Sequence, residues 1–217
     1  MKITKYPQAC FLINYQGINI LIDPGVYVFK QMDIKPEDFT KIDLILLTHG
    51  DPDHTDPDSL KIIQQHNKCP IWCNKEVKEK LAQNSISVET IEYDEAKEIS
   101  NIKIKAIKSV HGRIPNKDFL PQVTGFLIDD KIYHPGDTVY LDDKPYADVV
   151  LVPICGTVVM DIEEAKRFAC DIKPKLLIPM HYDSPNYPGD PEEFIKAMSD
   201  CDLRIKVLDF GESIEIE

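Results

Sequence analysis

Four potential metal ligands lie within six residues of one short segment of the chain. The segment covers residues 46–54 and reads LLTHGDPDH, so the candidate ligands are His49, Asp51, Asp53 and His54. Imidazole and carboxylate groups together suit zinc, iron, manganese or nickel. A plainer interpretation is turn and cap chemistry, because Asp-Pro pairs are ordinary in turns. The rest of the chain has to decide between these two interpretations.

Three residues far along the chain have the same kind of position as His49. His111, Asp137 and His181 each come at or soon after the end of an apolar run that we predict to be a strand. In α/β architectures, functional residues gather at the carboxyl ends of strands. Four strand ends that carry such residues favour a metal site over turn chemistry.

The elements that must position these residues are predicted from hydrophobic patterning. Three short apolar runs, at 44–47, 149–152 and 175–178, are typical of strands buried on both faces. The other predicted strands cover 10–14, 18–23, 70–73, 90–93, 102–107, 123–128, 131–134, 205–208 and 213–216. Helices are predicted at 58–65, 76–83, 162–170 and 191–198. Hairpins followed by strand–helix units occur twice, which predicts an α+β fold with two facing sheets and helices outside.

Composition limits the class of protein. Hydrophobic residues make up 43% of the 217 residues and no Gly/Ser-rich linker interrupts them, so we predict one domain over 1–217. The net charge of −12 disfavours nucleic acid and anionic membranes as partners. The N-terminal region lacks the apolar core of a signal peptide, and no apolar run approaches the roughly 18 residues of a membrane helix. We therefore expect a cytoplasmic protein whose six cysteines are reduced.

The order of the candidate ligands along the chain resembles the signature of the metallo-β-lactamase superfamily. That signature is HxHxDH at a strand end, followed by a distant His, Asp and His. The closer resemblance is to its small stand-alone metal-dependent hydrolases, the ascorbate-6-phosphate lactonase-like branch. Weaker matches are the segments 1–4, 10–13, 20–24, 133–138 and 179–182. The resemblance implies the four-layer αββα sandwich of that superfamily.

The resemblance also implies a metal-ligand set. One ion would be held by His49, Asp51 and His111, a second by Asp53, His54 and His181, and Asp137 would bridge both. The chain departs from the signature at Asp51, where the superfamily has a second histidine. Either Asp51 ligates as a harder, more anionic donor, or it is too short to reach and leaves one ion or weak occupancy. The implied cofactor is one or two divalent ions, with zinc favoured and manganese or iron as alternatives.

The implied activity is that of a metal-dependent hydrolase in which a metal-bound hydroxide attacks a small ester, lactone or phosphodiester. Asp53 would orient the hydroxide and relay its proton. His134 is a second catalytic candidate that supports Asp137 or contacts substrate, or else a structural histidine at a strand end. Asp51 keeps an alternative open, a non-catalytic metal- or ligand-binding protein with the same fold. The expected partner is a small-molecule substrate, and a homo-oligomer stays open.

Overall fold

The computed structural model describes residues 1–115 and 117–216. Contacts within the chain divide it into two compact units. The first unit contains Met1–Glu92 and the chain from Leu208 onward, and the second contains Tyr93–Val207. Each unit has its own sheet, helices and apolar core. The single domain over 1–217 stays a prediction.

The first unit is built on a seven-stranded mixed sheet with the strand order β13-β1-β2-β3-β4-β5-β6. Strands β13, β1, β2 and β3 pair antiparallel, whereas β3 to β6 pair parallel. The strands are β1 (Lys2–Lys5), β2 (Phe11–Tyr15), β3 (Ile18–Ile22), β4 (Leu44–Leu47), β5 (Ile71–Cys73), β6 (Glu89–Thr90) and β13 (Ser213–Glu215). The helices are α1 (Val26–Gln31), α2 (Pro57–Asn67) and α3 (Lys75–Ala82), with a 3-10 turn at Pro36–Asp38.

Strands β3 and β4 end side by side in the first unit. Their parallel register sets Ile22 against Leu46, and the amide of Asp23 donates to the Leu46 carbonyl at 3.0 Å. All four residues of β4 are buried, as its continuous apolar run predicts. The polar residues that follow β3 and β4 therefore emerge next to each other at one edge of the sheet.

The second unit is built on a six-stranded mixed sheet with the strand order β12-β11-β10-β9-β8-β7. Strands β7 to β10 pair antiparallel, whereas β10, β11 and β12 pair parallel. The strands are β7 (Ala96–Ile99), β8 (Ile102–Val110), β9 (Gln122–Ile128), β10 (Ile132–His134), β11 (Val149–Pro153) and β12 (Leu176–Met180). The helices are α4 (Ile162–Ile172) and α5 (Pro191–Ala197), and a 3-10 turn follows at Met198–Asp200.

Local sequence explains the turns and caps of the second unit. Asp129 and Asp130 both have positive φ, of 50° and 52°, and form the tight turn between β9 and β10. Helix α4 begins at a capping box, in which Asp161 accepts from the Glu164 amide at 2.8 Å. Two antiparallel steps from β8 to β10 leave β8, β10, β11 and β12 running in the same direction. Their carboxyl ends therefore share one edge of the sheet.

The predicted α+β class is confirmed, with corrections to individual elements. Strand β1 lies outside every strand that hydrophobic patterning predicts. The strand predicted at 205–208 is wrong, because only Ile205 makes an isolated bridge, to Leu177. Strand β7 was missed, since its sequence AKEI carries two charges, and α1 was missed because its N-cap, Gly25, makes no side-chain hydrogen bond. Across the described residues, every helix is too short or too polar to cross a lipid bilayer.

Candidate metal centre

The four candidate ligands of the first unit come together in the loop that follows β4. His49 and His54 are fully buried, and their ring centroids are 4.0 Å apart. Asp51 Oδ2 lies 4.0 Å from His49 Nε2, and Asp53 Oδ2 lies 3.8 Å from His54 Nε2. Both carboxylates thus face the Nε2 atoms of the two rings. We call these four residues the loop ligands.

A buried carboxylate at the end of β3 orients His54. Asp23 is fully buried and accepts from the Thr48 amide at 2.8 Å and from Thr48 Oγ1 at 2.6 Å. Asp23 Oδ2 also lies 2.8 Å from His54 Nδ1. An ionised carboxylate only accepts hydrogen bonds, so His54 Nδ1 carries the ring proton and Nε2 carries the lone pair.

The same network sets the tautomer of His49. Thr48 Oγ1 gives its proton to Asp23, so this oxygen can only accept at its 3.0 Å contact with His49 Nδ1. His49 Nδ1 therefore carries the proton, and Nε2 carries the lone pair here as well. A neutral imidazole with its lone pair on Nε2 is the form that binds metals. Asp23 and Thr48 thus prepare both histidines of the loop as ligands.

The backbone of the loop is held from several sides. Thr55 Oγ1 donates to the His49 carbonyl at 2.7 Å, and Lys80 Nζ from α3 donates to the Gly50 carbonyl. A Cβ at Gly25 would lie 2.0 Å from the carbonyl carbon of Asp53, so only glycine allows this close approach. These contacts together hold the backbone of the loop in place.

The three candidate ligands of the second unit also come together. Asp137 Oδ2 lies 3.0 Å from His181 Nε2 and 3.7 Å from His111 Nε2, and all three residues are buried. His111 Nδ1 donates to the Gly112 carbonyl at 2.7 Å, which leaves the lone pair of this ring on Nε2. These residues follow β10, β12 and β8, and we call them the strand-end ligands.

Two further residues border the strand-end ligands. His134 is fully buried at the end of β10, and its Nδ1 accepts from the Gly136 amide at 3.1 Å. Burial raises the pKa of the Cys155 thiol, but the hydrogen bond and electrostatic effect of His181, together with backbone hydrogen bonds at Val158 and Thr157, outweigh burial and lower this pKa. The hydrogen bond from the Gly136 amide to His134 holds the turn that leads into Asp137, so His134 helps to position Asp137.

Sequence reasoning missed the orienting role of Asp23. Asp23 is predicted only as the last residue of the strand at 18–23. One signal was present, because Asp23 directly follows an apolar strand, as His49 nearly does. What the sequence did not show is that β3 pairs parallel with β4 and brings Asp23 beside Thr48.

Residues 2–181 match the family model described as a β-lactamase superfamily domain. The chain belongs to the β-lactamase superfamily. A metal-dependent hydrolase of Thermoplasma acidophilum is 34% identical over 208 residues, which cover 92% of this chain and 91% of that relative. A metallo-hydrolase structure from Ignicoccus hospitalis has a TM-score of 0.80 at 25% identity and covers 100% of this chain and 99% of that one. The metallo-β-lactamase fold protein YhfI of Bacillus subtilis has a TM-score of 0.76 at 17% identity, covering 98% of each chain, and shows likeness of fold.

These comparisons confirm the metallo-β-lactamase resemblance, the α+β fold of that type and the expectation of an enzyme. This superfamily member is a metal-dependent hydrolase. The finer ascorbate-6-phosphate lactonase-like branch stays a prediction. The roles of the individual site residues also stay predictions, and they are taken up as proposals below.

Proposed function

We propose that this β-lactamase superfamily member hydrolyses a small ester, lactone or phosphodiester with the help of one or two divalent ions. The observation that carries the proposal is the hydrogen bonding of His49 and His54, which leaves a lone pair on each Nε2 beside a carboxylate. Zinc is the favoured metal, with manganese or iron as alternatives, since four imidazoles and three carboxylates suit all three.

The chemistry of the loop ligands and the strand-end ligands suits divalent cations. Loop and strand-end ligands together supply three carboxylates, and the buried carboxylate of Asp137 lies close to the Nε2 atoms of His111 and His181. Carboxylate oxygens beside imidazole lone pairs repel one another unless a cation lies between them. We assign the ions as the resemblance implies, with one at His49, Asp51 and His111, one at Asp53, His54 and His181, and Asp137 shared by both.

The bound ions would lower the pKa of a water molecule and polarise the substrate oxygen. Asp53 keeps its side chain one-quarter exposed, so its carboxylate can take a proton from water and hand it to the leaving group. His134 is assigned a positioning role, because its Nδ1 is engaged by the Gly136 amide. The cytoplasm is the proposed location, which fits four buried cysteines that form no disulfide among the described residues.

The competing function is metal or ligand binding without catalysis, and Asp51 is the residue that favours it. Asp51 Oδ2 lies 4.0 Å from His49 Nε2, and its side chain is 22% exposed. A carboxylate in place of the superfamily's histidine could hold an ion in a geometry that does not support turnover.

Elemental analysis and turnover on a panel of esters, lactones and phosphodiesters test the two functions together. We expect at least one ion per chain and hydrolysis that a chelator removes and metal restores. Asp51→Ala should lower the metal affinity about tenfold, while Asp58→Asn, an exposed acid on α2, should leave it unchanged. Chelated and reloaded protein that are equally inert on every substrate would favour the binding function, as would new activity in Asp51→His.

A further inference from the structure

Two cysteines of the second unit are in very close contact. The sulfur atoms of Cys170 and Cys201 are 2.6 Å apart, compared with about 2.05 Å for a disulfide bond. Both side chains are partly exposed, whereas the other four cysteines of the chain are buried. A small oxidant in solution can therefore reach this pair more easily than any other thiol of the protein.

An ion pair beside the two thiols holds the same two segments together. Lys166 lies one helical turn before Cys170 on α4, so the two side chains share one face of the helix. Lys166 Nζ lies 2.6 Å from Asp200 Oδ1, and Asp200 directly precedes Cys201. Two residues one turn apart on α4 thus contact two consecutive residues, Asp200 and Cys201, after α5. The sulfur atoms are aligned without any covalent bond between them.

The backbone around Cys201 is also well fixed. The Cys201 amide donates to the Met198 carbonyl at 2.9 Å, and its carbonyl accepts from the Leu203 amide at 2.9 Å. Both cysteines pack against the apolar core of the second unit. Closing the sulfur contact to a bond would therefore need only a small movement of the two side chains.

We propose that Cys170 and Cys201 form a reversible disulfide, and that the site takes a small-molecule disulfide as its oxidant. The Cys170 thiolate attacks one sulfur of the oxidant and releases one small thiolate. Cys201 then loses its proton to water and attacks the Cys170 sulfur of the mixed disulfide, which releases the second small thiolate. Two protein thiols are oxidised by two electrons, and the oxidant is reduced to two thiols.

The order of the two steps follows from the surroundings of Cys201. Hydrogen bonding to Cys170, followed by burial and the neighbouring Asp200 carboxylate, raises the pKa of Cys201 to about 11. Because Cys201 holds its proton more tightly in the reduced pair, Cys170 is the thiol that attacks the oxidant first. In a reducing cytoplasm the bond would form only when the pool of small disulfides rises.

Helices α4 and α5 both line a cleft of the second unit. The first turns of α4 and α5 line a cleft of about 830 Å³, with Glu163 on one side and Glu193 on the other. A disulfide between Cys170 and Cys201 would tie the far end of α4 to the turn after α5. Oxidation should therefore stabilise this cleft together with the core behind it.

Incubation of the purified full chain with glutathione disulfide tests the proposal. We expect the intact mass to fall by two hydrogen atoms and peptide mapping to show a Cys170–Cys201 link. The melting temperature should rise by roughly 5 °C or more, because the bond closes a loop of about thirty residues. Dithiothreitol should reverse both changes.

Variants separate this pair from the other thiols. Cys170→Ser and Cys201→Ser should each stop at a glutathione adduct, while Cys69→Ser should behave as the parent chain does. Lys166→Met keeps both thiols, removes the ion pair and should slow ring closure. A persistent adduct on the parent chain, or a linked peptide that contains Cys155, would overturn the proposal. Zinc binding that requires both thiols and prevents oxidation would do the same.

Discussion

The two groups of candidate ligands are assembled in different ways. The four loop ligands lie within six residues of each other, and their geometry is set by a short loop and by Asp23 and Thr48. The three strand-end ligands are separated by long stretches of sequence and come together because β8, β10 and β12 end at one edge of a sheet. The first group therefore depends on local hydrogen bonds, and the second depends on the whole sheet of its unit.

The two groups also differ in what orients their histidines. A charged side chain, Asp23, orients His54, whereas a backbone carbonyl, that of Gly112, orients His111. A point substitution can remove the first of these partners but cannot remove the second. A substitution in the first unit can therefore disturb the orientation of a histidine without removing a metal ligand. In the second unit, substitutions act mainly on the ligands themselves.

The largest effect is expected from a strand-end ligand. Asp137→Ala removes the carboxylate that lies close to both His111 and His181. We expect kcat/KM to fall by about 1000-fold or more, together with loss of bound metal. Turnover with metal in excess and elemental analysis measure both. Asp142→Ala, at a 93% exposed side chain, is the matched control, and activity within tenfold of the parent would remove Asp137 from the site.

The next largest effect tests the orienting carboxylate of the first unit. In Asp23→Asn, the amide nitrogen must face either the Thr48 amide, at the Oδ1 position, or both Thr48 Oγ1 and His54 Nδ1–H, at the Oδ2 position, so a donor meets a donor in either orientation. We expect metal affinity to fall by about 10- to 100-fold, as measured by competition with a chromophoric chelator. Asp43→Asn, which contacts the Asn19 amide, is the control. Unchanged affinity would mean that the loop orients its histidines without Asp23.

A moderate effect is expected at His134 in the second unit. His134→Phe leaves the Gly136 amide without its acceptor and should cost about 1–3 kcal/mol of stability and roughly tenfold in kcat. His134→Asn can place an oxygen near the Nδ1 position and should restore most of both. Urea unfolding and steady-state kinetics measure the two quantities. If His134→Asn folds well but is as inactive as His134→Phe, His134 contacts substrate instead of positioning the turn.

The smallest effect is expected at the outer support of the loop. Lys80→Met removes the hydrogen bond to the Gly50 carbonyl, which we expect to weaken metal binding about two- to threefold. Lys75→Met on the same helix removes only an exposed pair with Glu79 and serves as the control. Equal affinities for the two variants would show that the loop ligands rely on Asp23, Thr48 and Thr55 alone.

The difference between the loop ligands and the strand-end ligands also explains which features could be predicted from the sequence. The loop ligands were found because they are close together in the sequence, and β4 was found because its apolar run is buried on both faces. Asp23 was missed because its role depends on the parallel pairing of β3 with β4, and a hydrophobic pattern carries no information on strand order. The contact between Cys170 and Cys201 was missed for a similar reason, since it joins residues 31 positions apart through the packing of α4 and α5.

Strand β13 lies at one edge of the first sheet and is synthesised long after its partner, β1. Strand β1 pairs with β13, and Thr4 Oγ1 meets Ser213 Oγ at 2.9 Å across 209 positions of sequence. A ribosome makes β1 before the second unit and makes β13 only after the whole second unit. The outer edge of β1 therefore stays open during most of translation, and such an edge can pair with other nascent chains. Lys2, the exposed lysine of β1, is a charge on that strand that opposes such pairing until β13 arrives.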